Sequence, residues 1–99
     1  MSYNYTLKFL PSALKEWRAL DNSIRERLKR KLLERLDHPE VPSCRLRGFR
    51  HHYKIKLRNS GYRLVYEVLE GEPALLVIAV GRRDKNEVYR RAGQRRDPA

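Results

Sequence analysis

Residues 53 to 63 constrain the fold more than any other stretch of the chain. Tyr53, Ile55 and Leu57 alternate with Lys54, Lys56 and Arg58. Successive side chains of a strand point to opposite faces, so this pattern predicts a strand with one apolar face and one cationic face. Asn59-Ser60-Gly61 supplies turn chemistry, and a second strand begins at Tyr62. Arg63 thereby returns beside the cations of the first strand. Like charges facing each other across strands are destabilising. A face holding Lys54, Lys56 and Arg63 is therefore expected to serve a polyanion, with phosphate, and RNA in particular, as its ligand. A plainer reading stands beside this one, because strand lysines also serve as a solvated or edge-guarding set.

Size and charge point the same way. Ninety-nine residues make one domain with room for a single core. Lys and Arg number 23 against 12 Asp and Glu, a net charge of +11. The excess is spread over both halves of the chain, which predicts a basic folded surface rather than a basic arm on a neutral body. Cys44 is the sole cysteine, so no internal disulfide can form, and a reducing cytoplasmic setting is expected. The apolar run from Ala74 to Val80 is too short to span a bilayer, and the N-terminus lacks the features of a signal peptide. One Cys and three His offer no metal-ligand spacing, so neither a metal nor a cofactor is expected. His51 and His52 are adjacent and point to opposite faces, so at most one can look at the cationic strip.

The remaining elements follow from periodicity. Tyr3, Tyr5, Leu7 and Phe9 alternate with polar residues and predict an opening strand. Pro11 suits a first helical turn, and Ala13, Leu14, Trp17 and Leu20 recur at helical spacing. Asp21-Asn22 breaks that helix. Ser23 and Glu26 match a capping box for a second helix with Ile24, Leu28, Leu32, Leu33 and Leu36 on its apolar stripe. Arg25, Arg27, Lys29, Arg30, Lys31 and Arg35 form its basic side, and Pro39 ends it by His38. Trp17 is expected to anchor the helix–sheet core, and Cys44 to be a small packing residue. Glu70 to Pro73 is a turn, Ala74 to Val80 a buried strand released by Gly81, and Asp84 to Ala92 a short marginal helix. The chain end, residues 93–99, is expected to fray. The order implies an α+β architecture: a small antiparallel-dominated sheet with an N-terminal helical hairpin on one face, the other face left to Lys54, Lys56 and Arg63.

These residues resemble a known family. Ala13-Leu14-Lys15-Glu16-Trp17, Leu46-Arg47-Gly48, Tyr53 to Arg58, Ser60 to Tyr66, Val80-Gly81 with Arg83, and Glu87-Val88-Tyr89 are together similar to the RelE toxins of bacterial toxin–antitoxin systems. The resemblance covers nearly the whole chain, to about Ala92. It implies a single microbial-ribonuclease-like domain over residues 1–99. It also implies an endoribonuclease that cleaves mRNA in the ribosomal A site without a metal. The positions matching the family's catalytic set are Lys54, Lys56, Arg63, Arg83 and Tyr89. The His51-His52 pair and the arginine-rich tail after Tyr89 depart from the family pattern.

In that chemistry the 2′-hydroxyl attacks the adjacent phosphate, which needs a base, charge around the phosphorane, and an acid at the departing 5′-oxygen. The resemblance implies that Lys54 and Lys56 lie near the attacking and non-bridging oxygens, one of them sharing the base role. It implies that Arg63 clamps the phosphate. Arg83 would be either the acid or an electrostatic stabiliser at the leaving oxygen, and Tyr89 would stack on a base, take a proton, or both. Arg27, Lys29, Arg30, Arg45 and Arg47 are expected to contact 16S rRNA, positioning without reading sequence. The implied partners are the ribosome with bound mRNA and an acidic RelB-like antitoxin, through which the complex would bind operator DNA. The competing functions are a ParE-like gyrase poison on the same fold and a non-catalytic RNA-binding module.

Overall fold

The alternation of the opening segment becomes a strand because its apolar side chains have a core to face. In the computed structural model, which describes residues 4–95, β1 runs Thr6–Phe9, α1 Pro11–Arg18, α2 Asn22–Arg35, β2 His52–Leu57, β3 Tyr62–Val68, β4 Ala74–Arg82 and α3 Glu87–Arg95. Single 3₁₀ turns occupy Pro42–Cys44 and Asp84–Asn86. Among the described residues the sheet has the order β1-β4-β3-β2. β4 pairs antiparallel with β3 and β3 with β2, while β1 lies parallel to β4. The predicted α+β fold and antiparallel-dominated sheet are thus present, and α1 and α2 both contribute to one core of the sheet. Tyr3 lies outside the described residues.

The two faces of the sheet have different cores. Tyr53, Ile55 and Leu57 of β2, Leu64 and Tyr66 of β3, and Leu75 and Val77 of β4 pack with Ala13 of α1, Leu28 and Leu32 of α2, and Leu36 at its C-cap. Trp17 joins this core as expected, its ring 5.5 Å from that of Phe9. The second face is not left open, as the sequence suggested. Val88 and Ala92 of α3 pack there on Val65, Ile78 and Ala79, with Leu46 and Phe49 at the border. β4 carries a bulge where this helix packs: Val65 pairs with Ala79 and Tyr66 with Val77, which leaves Ile78 as the extra residue. Alternation read from sequence cannot anticipate such a shift.

Other local expectations are revised. The N-cap of α2 is Asp21, not Ser23; its carboxylate accepts from the Ser23 amide at 3.2 Å and the Ser23 hydroxyl at 2.6 Å. Hydrogen bonds to Ser23 hold the Asp21 carboxyl below the usual carboxylate range. Gly81 does not release the chain, since β4 continues to Arg82. Residues 93–95, expected to fray, complete α3, and residues 96–99 lie outside the described residues. Gly61, at φ +75°, makes the turn into β3 in a conformation that favours glycine.

Candidate active site

The β2–β3 ladder assembles the site. Lys56 pairs directly with Arg63, and Lys54 with Val65. Lys54, Lys56 and Arg63 therefore share one face, as the alternation required. Lys56 is exposed, Lys54 half-buried, and Arg63 buried at 7% exposure. The Lys54 charge, partial loss of solvent, and the Arg63 and Arg58 charges hold the Lys56 ammonium below the usual lysine range.

Arg63 is held more closely than the two lysines. Its Nη1 donates to the Tyr62 carbonyl at 2.9 Å, and its buried Nε has no acceptor among the described residues. A guanidinium held against its own strand is fixed in orientation and keeps donors for an anion.

Arg83 follows the end of β4, and its amide donates to the Gly61 carbonyl at 2.9 Å. That bond ties Arg83 to the β2–β3 turn, beside the strand positions of Leu57 and Tyr62. Its side chain is exposed. Tyr89, half-buried on α3, packs against the cluster that contains Val65, the ladder partner of Lys54. Lys54, Lys56, Arg63 and Tyr89 thus belong to one face, with Arg83 at its end.

The basic residues assigned to docking divide into two groups. Arg45 and Arg47 are exposed and line a cavity of about 400 Å³ with Pro42, Leu46, Gly48 and Phe49. Arg45 bridges Tyr53, so this loop borders β2. Arg27, Lys29 and Arg30 belong to α2, on the opposite side of the sheet from the cationic strip.

Two other arginines of α2 do not belong to a solvated face. Arg25 donates to the Leu20 carbonyl and the Asn22 side chain, closing the turn between α1 and α2. Arg35 turns inward: it donates to the Tyr66 hydroxyl at 2.8 Å, to Cys44 Sγ at 3.2 Å and to the Lys54 carbonyl at 3.4 Å. Sequence reasoning missed this residue, although its i+7 spacing from Leu28 places it beside the apolar stripe. Burial pushes the Tyr66 hydroxyl up to about 12, so it stays protonated and donates to the Pro39 carbonyl.

The histidines lie away from Lys56. His51 has φ +57° and pairs with Glu70 at 2.6 Å. His52 opens β2, buried under Phe49 with ring centroids 5.1 Å apart, and its Nδ1 lies 2.6 Å from the Arg50 carbonyl. No group of three or more His, Cys, Asp or Glu among the described residues is arranged to hold a metal ion. No helix among them is long and apolar enough to cross a membrane.

A family model described as the ParE toxin of the type II toxin–antitoxin system parDE matches residues 7–87. The mRNA interferase toxin RelE of Escherichia coli strain K12 is 50% identical over 91 residues, covering 92% of this chain and 96% of that protein. This chain belongs to the RelE family of toxins. Identity at half of the aligned positions places the chain with RelE. The mRNA interferase RelE of Shigella flexneri is likewise 50% identical over 91 residues, with the same coverage. An E. coli RelE variant in the free state superposes with a TM-score of 0.85 at 48% identity, covering 96% of this chain and 98% of that one. RelE in the intact E. coli RelBE toxin–antitoxin complex gives 0.77 at 51% identity, covering 79% of this chain and 95% of that one.

Proposed function

We propose that this RelE-family chain is the toxin of a type II toxin–antitoxin pair and an endoribonuclease that cleaves mRNA in the ribosomal A site. The observation that carries the proposal is the Lys56–Arg63 cross-strand pair with Lys54 beside it, a cluster of cations on one sheet face. Such a pair opposes folding, and a phosphodiester bound there reverses its sign.

A lysine in a cationic field loses its proton more readily than an isolated one, which suits Lys56 to accept the 2′-hydroxyl proton, with Lys54 stabilising the attacking oxygen. The 2′-oxygen bonds to phosphorus. Arg63 holds the non-bridging oxygens as charge builds on the phosphorane. The bond to the 5′-oxygen breaks, and that oxygen takes up a proton from solvent water, leaving a 2′,3′-cyclic phosphate and a 5′-hydroxyl. Arg83 stabilises the leaving oxygen by charge, an easier role for a guanidinium than donating a proton. Tyr89 stacks on a base beside the scissile phosphate. Arg45 and Arg47 border the strip, and Arg27, Lys29 and Arg30 grip rRNA from the other side of the sheet. An acidic RelB-like antitoxin silences the toxin, in a complex that binds operator DNA through the antitoxin.

The test is cleavage of ribosome-bound mRNA by the purified chain, with end-group analysis. Cuts in the A site with 5′-hydroxyl ends are expected. A gyrase poison is the competing reading, and 50% identity to an mRNA interferase argues against it. Intact mRNA together with stalled gyrase–DNA cleavage complexes would establish that reading instead.

A further inference from the structure

α3 carries Tyr89, yet its apolar hold on the sheet is slight. Val88 and Ala92 are its fully buried residues. What else seats it is a cluster around Glu16 of α1. Glu16 Oε2 accepts from Arg91 Nη1 at 2.5 Å and from Arg95 Nη2 at 2.8 Å, and Glu16 Oε1 accepts from Arg95 Nη1 at 2.9 Å. The Arg95 contact is a bidentate fork, the strongest geometry for such a pair. All three side chains are largely shielded, with 17% exposure at Glu16, 28% at Arg91 and 20% at Arg95. Burial pushes the Glu16 carboxyl up, but the Arg95 and Val80 hydrogen bonds and the two arginine charges outweigh it and hold the carboxyl below its usual range.

The cluster also closes the sheet. β1 stops at Phe9, so β4 beyond Val77 has no strand on that side. Glu16 Oε1 accepts the Val80 amide at 3.1 Å, and Arg95 Nη1 donates to the Ile78 carbonyl, at the bulge, at 2.8 Å. An ion pair thus replaces a missing strand partner. Gly81 belongs to the same arrangement. A Cβ there would collide with Nη2 of Arg91, so the glycine makes room for this guanidinium against β4.

On a helix with about 100° between successive residues, Arg91 and Arg95 lie on one flank of the Val88–Ala92 stripe and Tyr89 on the other. A Cβ at Gly93, on the Tyr89 flank, would meet the Phe49 ring at contact distance. Release of the arginine flank would let α3 roll on its narrow apolar stripe and carry Tyr89 with it. We propose that Glu16, 73 positions from Tyr89 in sequence, is a positioning residue of the ribonuclease site: through Arg91 and Arg95 it sets the rotation of α3 and so the place of Tyr89 over the cationic face. This rests on the ribonuclease reading given above.

Glu16→Gln tests it, since glutamine keeps the shape and an acceptor for the Val80 amide but loses the charge. Amide exchange over residues 87–95 and cleavage of ribosome-bound mRNA are measured, the latter in the parent and in a Tyr89→Ala background. Exchange in α3 should speed up by about tenfold or more. In the parent background kcat should fall about tenfold with KM for programmed ribosomes unchanged, whereas in the Tyr89→Ala background the same substitution should cost less than about twofold. Equal losses in both backgrounds, or unchanged exchange in α3, would overturn the proposal. Intact mRNA with the parent chain would overturn the ribonuclease reading and the positioning role with it, and the exchange data would then decide alone whether Glu16 holds α3.

Discussion

Lys56 faces Arg63 across the ladder, with Lys54 two residues upstream on the same face. Its charged form is disfavoured in the folded chain, so between its folded pKa and the ordinary value of 10.5 the unfolded state binds more protons. The destabilisation is full below the folded pKa and is relieved as pH rises through it. Lys56→Gln should therefore leave the thermal midpoint at neutral pH unchanged or higher while cleavage falls by roughly ten- to a thousandfold. A clear drop in melting temperature would show that Lys56 is a structural residue. Cleavage by the parent should rise with pH over a range lower than an ordinary lysine would give. Arg63 and Arg83 separate along the same line. Arg83→Ala and Arg63→Ala should each reduce cleavage by roughly ten- to a thousandfold. Only Arg63→Ala should also lower stability, because that side chain is buried and bonded to Tyr62, whereas Arg83 is exposed. Parallel melting curves and single-turnover cleavage would check both. Tyr66 belongs to stability alone. Tyr66→Phe leaves the Pro39 carbonyl and a donor of Arg35 without their partner, a loss of about 1–3 kcal/mol measurable by urea denaturation.

Among the elements, α2 and α3 differ in how they are held. α2 buries Leu28 and Leu32 and presents Lys29, Arg30 and Lys31 to solvent. Lys29→Glu with Arg30→Glu should weaken ribosome association, and the parent's binding should fall steeply with salt as phosphate contacts release counterions. Tight binding by the doubly reversed variant would make this surface a solvated face. α3 rests on the buried Val88 and Ala92, on Tyr89 beside them, and on the Glu16 cluster, so its seat depends partly on an ion pair. Antitoxin binding should displace it, so that residues 84–92 lose amide protection in the complex. Greater protection there would mean inhibition by covering the site. The periodicity of α2 showed its apolar stripe but not the inward turn of Arg35, since a long cationic side chain beside the stripe can run to solvent or into the core with the same spacing.

For the molecule as a whole, a net charge of +11 makes self-repulsion a general term. Raising salt from about 0.05 to 0.5 M shortens the Debye length from over 10 Å to a few Å. Melting temperature should rise with salt while ribosome binding falls. A melting temperature that drops with salt would mean that ion pairs such as Glu16 with Arg91 and Arg95 outweigh the repulsion.

Legible in the chain alone were the strand–turn–strand from Tyr53, the shared face of Lys54, Lys56 and Arg63, the apolar stripes of α1 and α2 and the basic excess. Each depends on spacing within one element or on composition, and alternation or helical period reports these directly. The family resemblance added Arg83 and Tyr89, which no local pattern marks. Tertiary structure alone decided that β1 joins β4 in parallel, that α3 crosses to the cationic face, and that Arg63 is buried. It alone showed that Arg35 and Glu16 are interior partners and that Gly81 makes room for a side chain ten residues on. These features depend on groups distant in the chain meeting at a sheet edge or bulge, where an unpaired amide or carbonyl must find a partner. No repeat in the sequence encodes which side chain will reach it.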